Sequence, residues 1–468
     1  MSGRAIRLLR PFVLSLAVAL VGCEGGSSHA DPNPPAPAAP STAATAPPLG
    51  AAFPLRVSAD QRHLVDQNGR PFLIVGDSAW SLITAVTRAD AETYLEDRQQ
   101  RGFNALLVNI IEHHFNGPAN REGAVPFLKT RGTYDFSRPV ERYFAHVDQL
   151  LGRARDRGML VLLTPAYLGY RGGGEGWWPE INTGVNTEAV MENYGRWLGA
   201  RYRSFDNIVW VVGGDWYGQE ALPKTEALVR GLKASDRPGR LITAHNARNE
   251  SGYVYYGSEA WFTVNTTYSD CMSTPQRSIE DYRRLRVMPF VFVEGRYEGE
   301  NSTTQVCLRS QAYWPVLLGA AGSFFGNRPI WLFDPGWQAA LASQGALNMT
   351  YFARLFRSRA WDKLVPDLDG TMLVDGRGNV GVDYAAAARA SDGSSIIVYA
   401  PSQRALTIDM TKVSGASARA WWFNPASGAA TLIGDAPTKA VRSFTPPGPG
   451  DWVLVIDAAS LALAAPGQ

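Results

Sequence analysis

Two carboxylates in this chain stand where chemistry is expected. Asp215 closes the run Val211-Val212-Gly213-Gly214-Asp215, and Glu294 closes Phe290-Val291-Phe292-Val293-Glu294. Hydrolysis of a glycosidic bond takes two such groups, one giving a proton to the leaving oxygen and one attacking, or activating water, on the other face of the ring. Each also has a plainer reading. Gly-Gly-Asp is a common turn, whereas a carboxylate directly after an apolar strand is partly buried and its charge must be compensated. Glu298 and Glu300 are rival acids further along the loop after Glu294, where they suit substrate hydrogen bonding or holding Arg296. The chain has 14 Trp; flat rings that also donate a hydrogen bond suit sugar faces as well as cores.

The elements that must position these acids follow from periodicity. From residue 53 to about 360, short apolar runs alternate with longer amphipathic ones, the pattern of a parallel sheet with crossover helices. Eight runs are present: 72–77, 105–109, 159–164, 208–212, 241–245, 261–265, 289–294 and 322–327. Eight in this length predict an α/β fold, a (β/α)8 TIM barrel over residues 53–362. Helices are expected over 88–102 and 140–158, each ending in Gly. After residue 360 the helical period disappears and short strands appear (395–400, 420–423, 451–456), predicting a small β-sandwich over 370–460.

In such a barrel the C-terminal strand ends carry the site. Polar residues stand there repeatedly: Asp77, Asn109, Thr164, Asp215, His245, Glu294 and Asn327. Singly, each is as readily a helix cap; together they predict one mouth, with Asp215 and Glu294 facing each other after strands four and seven. Asp77, Asn109, His113, Tyr167, His245, Tyr268 and Asn327 are expected to hydrogen-bond a sugar, with Trp80 or Trp216 offering an apolar face and Tyr297 and Glu298 completing the substrate set. His113 and His114 are adjacent, so only one points inward on an extended segment. A metal-dependent barrel would need His-x-His on strand one, where Gly76-Asp77-Ser78 stands; no metal or cofactor is expected.

Composition narrows the class. The 468 residues are 45% hydrophobic and carry 45 basic against 43 acidic side chains, net +2, with no basic stripe for nucleic acid. A monomer is expected. Three basic residues, Arg4, Arg7 and Arg10, precede the apolar run 12–21, too short to span a bilayer as a mature helix, which reads as a signal peptide. It ends Leu20-Val21-Gly22-Cys23, which resembles the lipobox of bacterial lipoproteins, making residues 1–23 a lipoprotein signal and Cys23 the lipidated residue. The Pro/Ala-rich stretch 24–52 reads as a disordered tether, about 90 Å long at about 3.1 Å per residue if extended. An extracytoplasmic enzyme, held to an outer membrane or cell surface by its lipid alone, is expected. There Cys271 and Cys307 either pair or stay as free buried thiols.

The blocks LRVSADQRHLVDQNGRPFLIVGDSAW (55–80), VVGGDW (211–216) and VFVEGRYEGE (291–300) resemble the apiosidase-like glycoside hydrolases over roughly residues 54 to 360. That resemblance implies Asp215 as acid/base and Glu294 as nucleophile in a retaining mechanism. It further implies plant cell-wall polysaccharide of pectin type, including apiose-containing side chains, as substrate. Two departures stand out. The wider superfamily carries Asn-Glu where Gly214-Asp215 stands, and the narrower family reads Glu-Pro-x-Tyr-Glu where Gly295 and Arg296 follow Glu294. PPGPGDWVLVID (446–457) resembles a small domain that follows such barrels and is labelled collagen-binding; a structural accessory is the expected role. Two other readings are a non-catalytic surface glycan-binding lipoprotein, using the same aromatics, and a collagen adhesin resting on the C-terminal domain alone.

Overall fold

The computed structural model describes residues 50–216 and 218–468; the signal, Cys23 and the tether up to residue 49 lie outside the described residues. Eight parallel strands, edged by the short antiparallel strand Glu250–Ser251, form the nine-stranded central sheet: β1 Ile74–Ser78, β2 Ala105–Asn109, β3 Leu160–Thr164, β4 Ile208–Gly213, β5 Ile242–His245, β6 Asn265–Tyr268, β7 Phe290–Glu294 and β8 Gly322–Phe325. They pair in the order β6-β7-β8-β1-β2-β3-β4-β5. The remaining seam, β5 to β6, has no continuous ladder. Two side-chain bonds and one backbone bond bridge it: Thr243 Oγ1 donates to Val264 O at 2.6 Å, Thr266 Oγ1 donates to Ala244 O, and Thr263 N donates to Ile242 O at 3.0 Å. The result is a (β/α)8 barrel.

Strand residues are buried on both faces, as parallel strands under helices must be. Alternation divides them between two cores. Ile74, Ala105, Leu107, Leu160, Leu162, Val209 and Val211 fill the barrel, whereas Leu106, Val108, Val161, Leu163, Trp210 and Val212 meet the helices. Those helices are α1 Arg88–Gln100, α2 Glu141–Asp156, α3 Glu188–Tyr202, α4 Leu222–Ser235, the short α5 Gly252–Tyr256, α6 Thr274–Tyr282, α7 Gln305–Leu317 and α8 Gln344–Arg357. Thr87 caps α1 by accepting from Asp90 N at 3.1 Å. Gly102 and Gly158, at φ +86° and +68°, follow the ends of α1 and α2.

The sixth strand departs from expectation. It is Asn265–Tyr268 rather than 261–265, because Trp261 and Phe262 pack among the helices while the polar Asn-Thr-Thr segment makes the ladder with β7.

The C-terminal domain is a β-sandwich. A six-stranded antiparallel sheet runs Leu364–Pro366, Ala386–Ala390, Ser395–Ala400, Trp452–Ala458, Ser417–Phe423, Ala430–Pro437, and three shorter strands, Leu373–Asp375, Leu406–Asp409 and Val441–Phe444, face it. It starts at Leu364, ahead of the expected residue 370, since a proline-bearing edge strand of three residues carries no readable period. Its inner sheet shares a core with the barrel: Leu308, Ala312, Tyr313, Trp314 and Phe356 pack with Ile397, Tyr399, Phe423 and Val455. Tyr313 stacks on Tyr399 with ring centres 4.9 Å apart, and Trp314 Nε1 donates to Tyr384 O at 2.7 Å.

Candidate active site

β4 ends in a backbone conformation that most side chains avoid. Gly213, Gly214 and Asp215 have φ of +91°, +129° and +40° in succession, the left-handed region that glycine enters without steric cost. This turn carries the Asp215 side chain over the barrel mouth. At β7 a bulge does the equivalent work: Thr267 of β6 opposes Phe292, but Tyr268 opposes Glu294, so Val293 is the extra residue. Bulges re-aim side chains beside active sites, and here Glu294 turns toward the same mouth.

His245, at the end of β5, lies between the two acids. Its Nδ1 accepts from Asp215 N at 3.2 Å, which leaves the proton on Nε2, and Nε2 lies 2.6 Å from Glu294 Oε2. The tautomer follows from the backbone donor. One oxygen of Asp215, one of Glu294 and a ring nitrogen of His245 all fall within 4.8 Å of one another. Such a trio has the donor types of a cation site, but both ring nitrogens are already engaged in hydrogen bonds to the acid residues. Burial lowers the affinity of His245 for a proton, yet the hydrogen bond to Glu294 and the charges of Glu294 and Asp215 outweigh it, and its pKa is raised. Asp215 is pushed up to about 7, first by burial and then by the charge of Glu294.

A pocket of about 170 Å³ opens over these acids. Of the residues expected from sequence, Trp80, Asn109, Tyr167, Asp215, Tyr268, Glu294 and Tyr297 line it. Trp80 Nε1 donates to Tyr297 Oη at 2.9 Å, and Trp80 meets His245 edge-on with centres 5.3 Å apart. The pocket also takes Glu300, one of the rival acids, together with residues that sequence reasoning did not place there: Phe115, Arg248, Asn301 and Trp331, and Arg296 as a lining residue in its own right. Arg248, three residues past the His245 strand end, carried a positional signal; Phe115 and Trp331 carried none, being loop aromatics far from any strand end.

Six expected substrate contacts do not line the pocket: His245 is fully buried between the two acids with both ring nitrogens bonded to them, and the other five lie elsewhere. Asp77 points outward, since on β1 Ile74 fills the barrel and Val75 faces the helices, and the same alternation sends Asp77 to Tyr94 Oη at 2.8 Å and Arg98 Nη1 at 3.3 Å, fully buried. His113 packs edge-on against Trp177 and bonds Gly174 O at 2.9 Å. Trp216 leans on Trp178, with ring centres 5.3 Å apart. Glu298 is consumed by Gly345 N, Gln305 Nε2 and Asn327 Nδ2 at 2.9, 2.7 and 2.8 Å, which also accounts for Asn327. Neither rival acid holds Arg296: Glu300 accepts from Trp331 Nε1 at 2.8 Å. Instead Gln311 of α7 clamps the Arg296 main chain, accepting from its N at 2.8 Å and donating to its O at 3.0 Å.

Cys271, after β6, and Cys307, in α7, are joined as a disulfide with Cα atoms 5.5 Å apart. Cys307 Sγ lies 3.8 Å from Gln311 Oε1, so the bridge backs the clamp behind the Glu294 loop.

Residues 58–363 match the family model described as "Apiosidase-like, catalytic domain". The chain belongs to the apiosidase-like family. Residues 365–457 match a second model, "Putative collagen-binding domain of a collagenase". Among solved structures, one titled "Glycoside hydrolase" is similar with a TM-score of 0.76 at 23% identity, covering 87% of this chain and 97% of that one. A glycoside hydrolase family 5 protein from Bacteroides vulgatus ATCC 8482 is similar to the same degree, TM-score 0.76 and 23% identity, over 87% of this chain and 93% of its own. At such identities the likeness bears on the fold. No curated protein matches. The apiosidase-like barrel is a glycosidase catalytic domain, and a carbohydrate is its substrate.

Proposed function

We propose that this apiosidase-like enzyme cleaves pectin-type plant cell-wall saccharide, apiose-containing chains included, by a retaining mechanism, with Asp215 as acid/base and Glu294 as nucleophile. The observation that carries the mechanism is the approach of the two carboxylates, with oxygens within 4.8 Å. Retention needs carboxyls about 5–5.5 Å apart, whereas inversion needs room for a water, roughly 6.5–9.5 Å. Asp215, held protonated near neutrality, gives its proton to the glycosidic oxygen as Glu294 attacks the anomeric carbon; the bond to the leaving group breaks and a glycosyl ester forms. The Nε2–H of His245 keeps Glu294 oriented for attack. Asp215, now a carboxylate, takes a proton from water, whose oxygen attacks the same carbon and releases Glu294.

The pectin reading has support in the pocket's charges. The guanidinium of Arg248 bonds only Tyr268 Oη, at 3.4 Å, and that of Arg296 has no ion-pair partner among the described residues. Two guanidinium groups without an ion pair among the described residues, in one pocket, suit a uronate carboxylate. The aromatic wall of Trp80, Tyr167, Phe115 and Trp331 suits the apolar face of a ring. We further propose that the enzyme works outside the cytoplasm, held by lipid on Cys23; a disulfide suits that compartment.

The test is sugar release from pectic, arabinan and hemicellulose polymers, beside Glu294→Gln. Release by the parent alone, with the anomeric configuration kept, supports the reading. Binding without release by either form would replace it with a non-catalytic glycan-binding role.

A further inference from the structure

The loops after β7 and β8 run side by side. Glu298 N donates to Gly326 O at 2.9 Å and Arg328 N donates to Glu298 O at 2.8 Å, a parallel bridge between Glu298 and Asn327. Just beyond that bridge Glu300 stands on one loop and Trp331 on the other, and both line the pocket. Trp331 Nε1 donates to Glu300 Oε1 at 2.8 Å. An indole has this one donor and no acceptor, so the bond fixes how the ring is turned.

The rest of the indole is bounded too. Its main chain is held from the loop after β1, where Ser81 N donates to Trp331 O at 3.1 Å. Phe115 and Tyr297 stand nearly perpendicular to it, with ring centres 5.2 and 6.3 Å away. Arg328 covers one face, its guanidinium carbon 5.7 Å from the ring centre, and Arg328 does not line the pocket. The part of this half-buried ring that meets the pocket is therefore the part Arg328 leaves uncovered. The same Glu300 oxygen lies 3.7 Å from Arg328 Nη1, and Arg328 pairs in turn with Asp334 at 2.9 Å. One carboxylate thus holds both the N–H of the ring and the cation behind it.

We infer that Glu300 is a positioning residue: its carboxylate holds the Trp331 indole, with Arg328 behind it, as a platform for the C–H face of a sugar ring, and serves the substrate through that ring rather than by touching a hydroxyl. The inference rests on the reading of the pocket as a saccharide site. It specifies what fits there. A sugar that turns a face of C–H bonds to the indole covers it; one that turns hydroxyls to it leaves them unpaired against an apolar surface and is rejected.

The experiment is a double-mutant cycle on the full chain, read as KM and kcat on the pectic polymer it cleaves. Trp331→Phe keeps a ring but removes the N–H, and Glu300→Ala removes the acceptor. Each single variant should raise KM about fivefold or more with kcat within about threefold of wild type, and the double variant should lose no more than the worse single one. Losses that multiply mean that Glu300 meets the sugar itself and overturn the inference. An unchanged KM, whatever happens to kcat, is the mark of a merely structural role and overturns it too. Should Trp331→Phe fail to fold, Glu300→Gln decides: its amide oxygen still accepts from the indole, so KM should stay within about threefold of wild type, and a loss as large as that of Glu300→Ala overturns the inference. If wild type cleaves no polymer, the hydrolase reading fails separately. The cycle is then read by calorimetry as Kd for trigalacturonate, where multiplying losses, or no binding by wild type, overturn the platform role.

Discussion

The ring of Tyr167 occupies the space that a side chain on Gly214 would need: a Cβ built there would lie 2.3 Å from Tyr167 Cδ2. Gly214 also sits at φ +129°. Gly214→Ala therefore meets a clash and a disfavoured backbone together, and should cost about 1–3 kcal/mol of stability in denaturant titration. Displacing Asp215 by about 1 Å should lower kcat about 100-fold. Wild-type kcat in this variant would mean that the turn after β4 does not place Asp215.

Asp215 titrates near pH 7, raised by burial and by the charge of Glu294. Its protonated form is the acid, so activity should fall as pH rises through about 7. The stability consequence has the same sign. A folded pKa above the unfolded value means the folded state holds the proton more tightly, so the contribution is full below about pH 4 and is lost between there and about pH 7. Asp215→Asn should be about 1–3 kcal/mol more stable than wild type at pH 8, with little difference at pH 4. Its turnover of natural glycosides should drop about 10²–10⁴-fold, whereas aryl glycosides with good leaving groups are spared in the first step. Equal losses on both substrate types would remove Asp215 from the acid role.

His245 donates to Glu294 across 2.6 Å and accepts from Asp215 N. His245→Ala removes a link to both acids at once, and kcat should fall about 10²-fold with a smaller change in KM. A change confined to KM would make His245 a substrate contact instead.

Arg309 of α7 and Asp451, at the start of the last sandwich strand, form two parallel hydrogen bonds of 2.7 Å, both side chains buried. Arg309→Ala leaves a buried carboxylate unpaired and should cost about 3–5 kcal/mol. The double variant Arg309→Met/Asp451→Leu should recover most of it. A single calorimetric transition is expected for barrel and sandwich in wild type; two separate transitions would show that the shared core does not couple them.

The barrel was legible because eight apolar runs alternate with amphipathic helices, and the two acids because each closes such a run. What escaped depended on phase and on loops. Asp77 looks equivalent to Asn109 in sequence, but the two-residue period puts Asn109 inward with Ala105 and Leu107 and sends Asp77 outward with Val75. Glu294 would also face outward by counting from Val291 and Val293, both in the barrel interior; the bulge reverses it. Arg248, Phe115 and Trp331 reach the pocket through loop paths that no period encodes.

The core shared by α7 and the inner sandwich sheet has a consequence for how the molecule is made. Translation delivers Tyr313 and Trp314 long before Tyr399 and Val455 exist to cover them. At about 5–20 residues per second, the intervening chain takes roughly 5–30 s to emerge. Through that interval the nascent barrel presents an oily flank to its surroundings. In biogenesis the C-terminal domain therefore acts as the last stave of the catalytic domain's own wall.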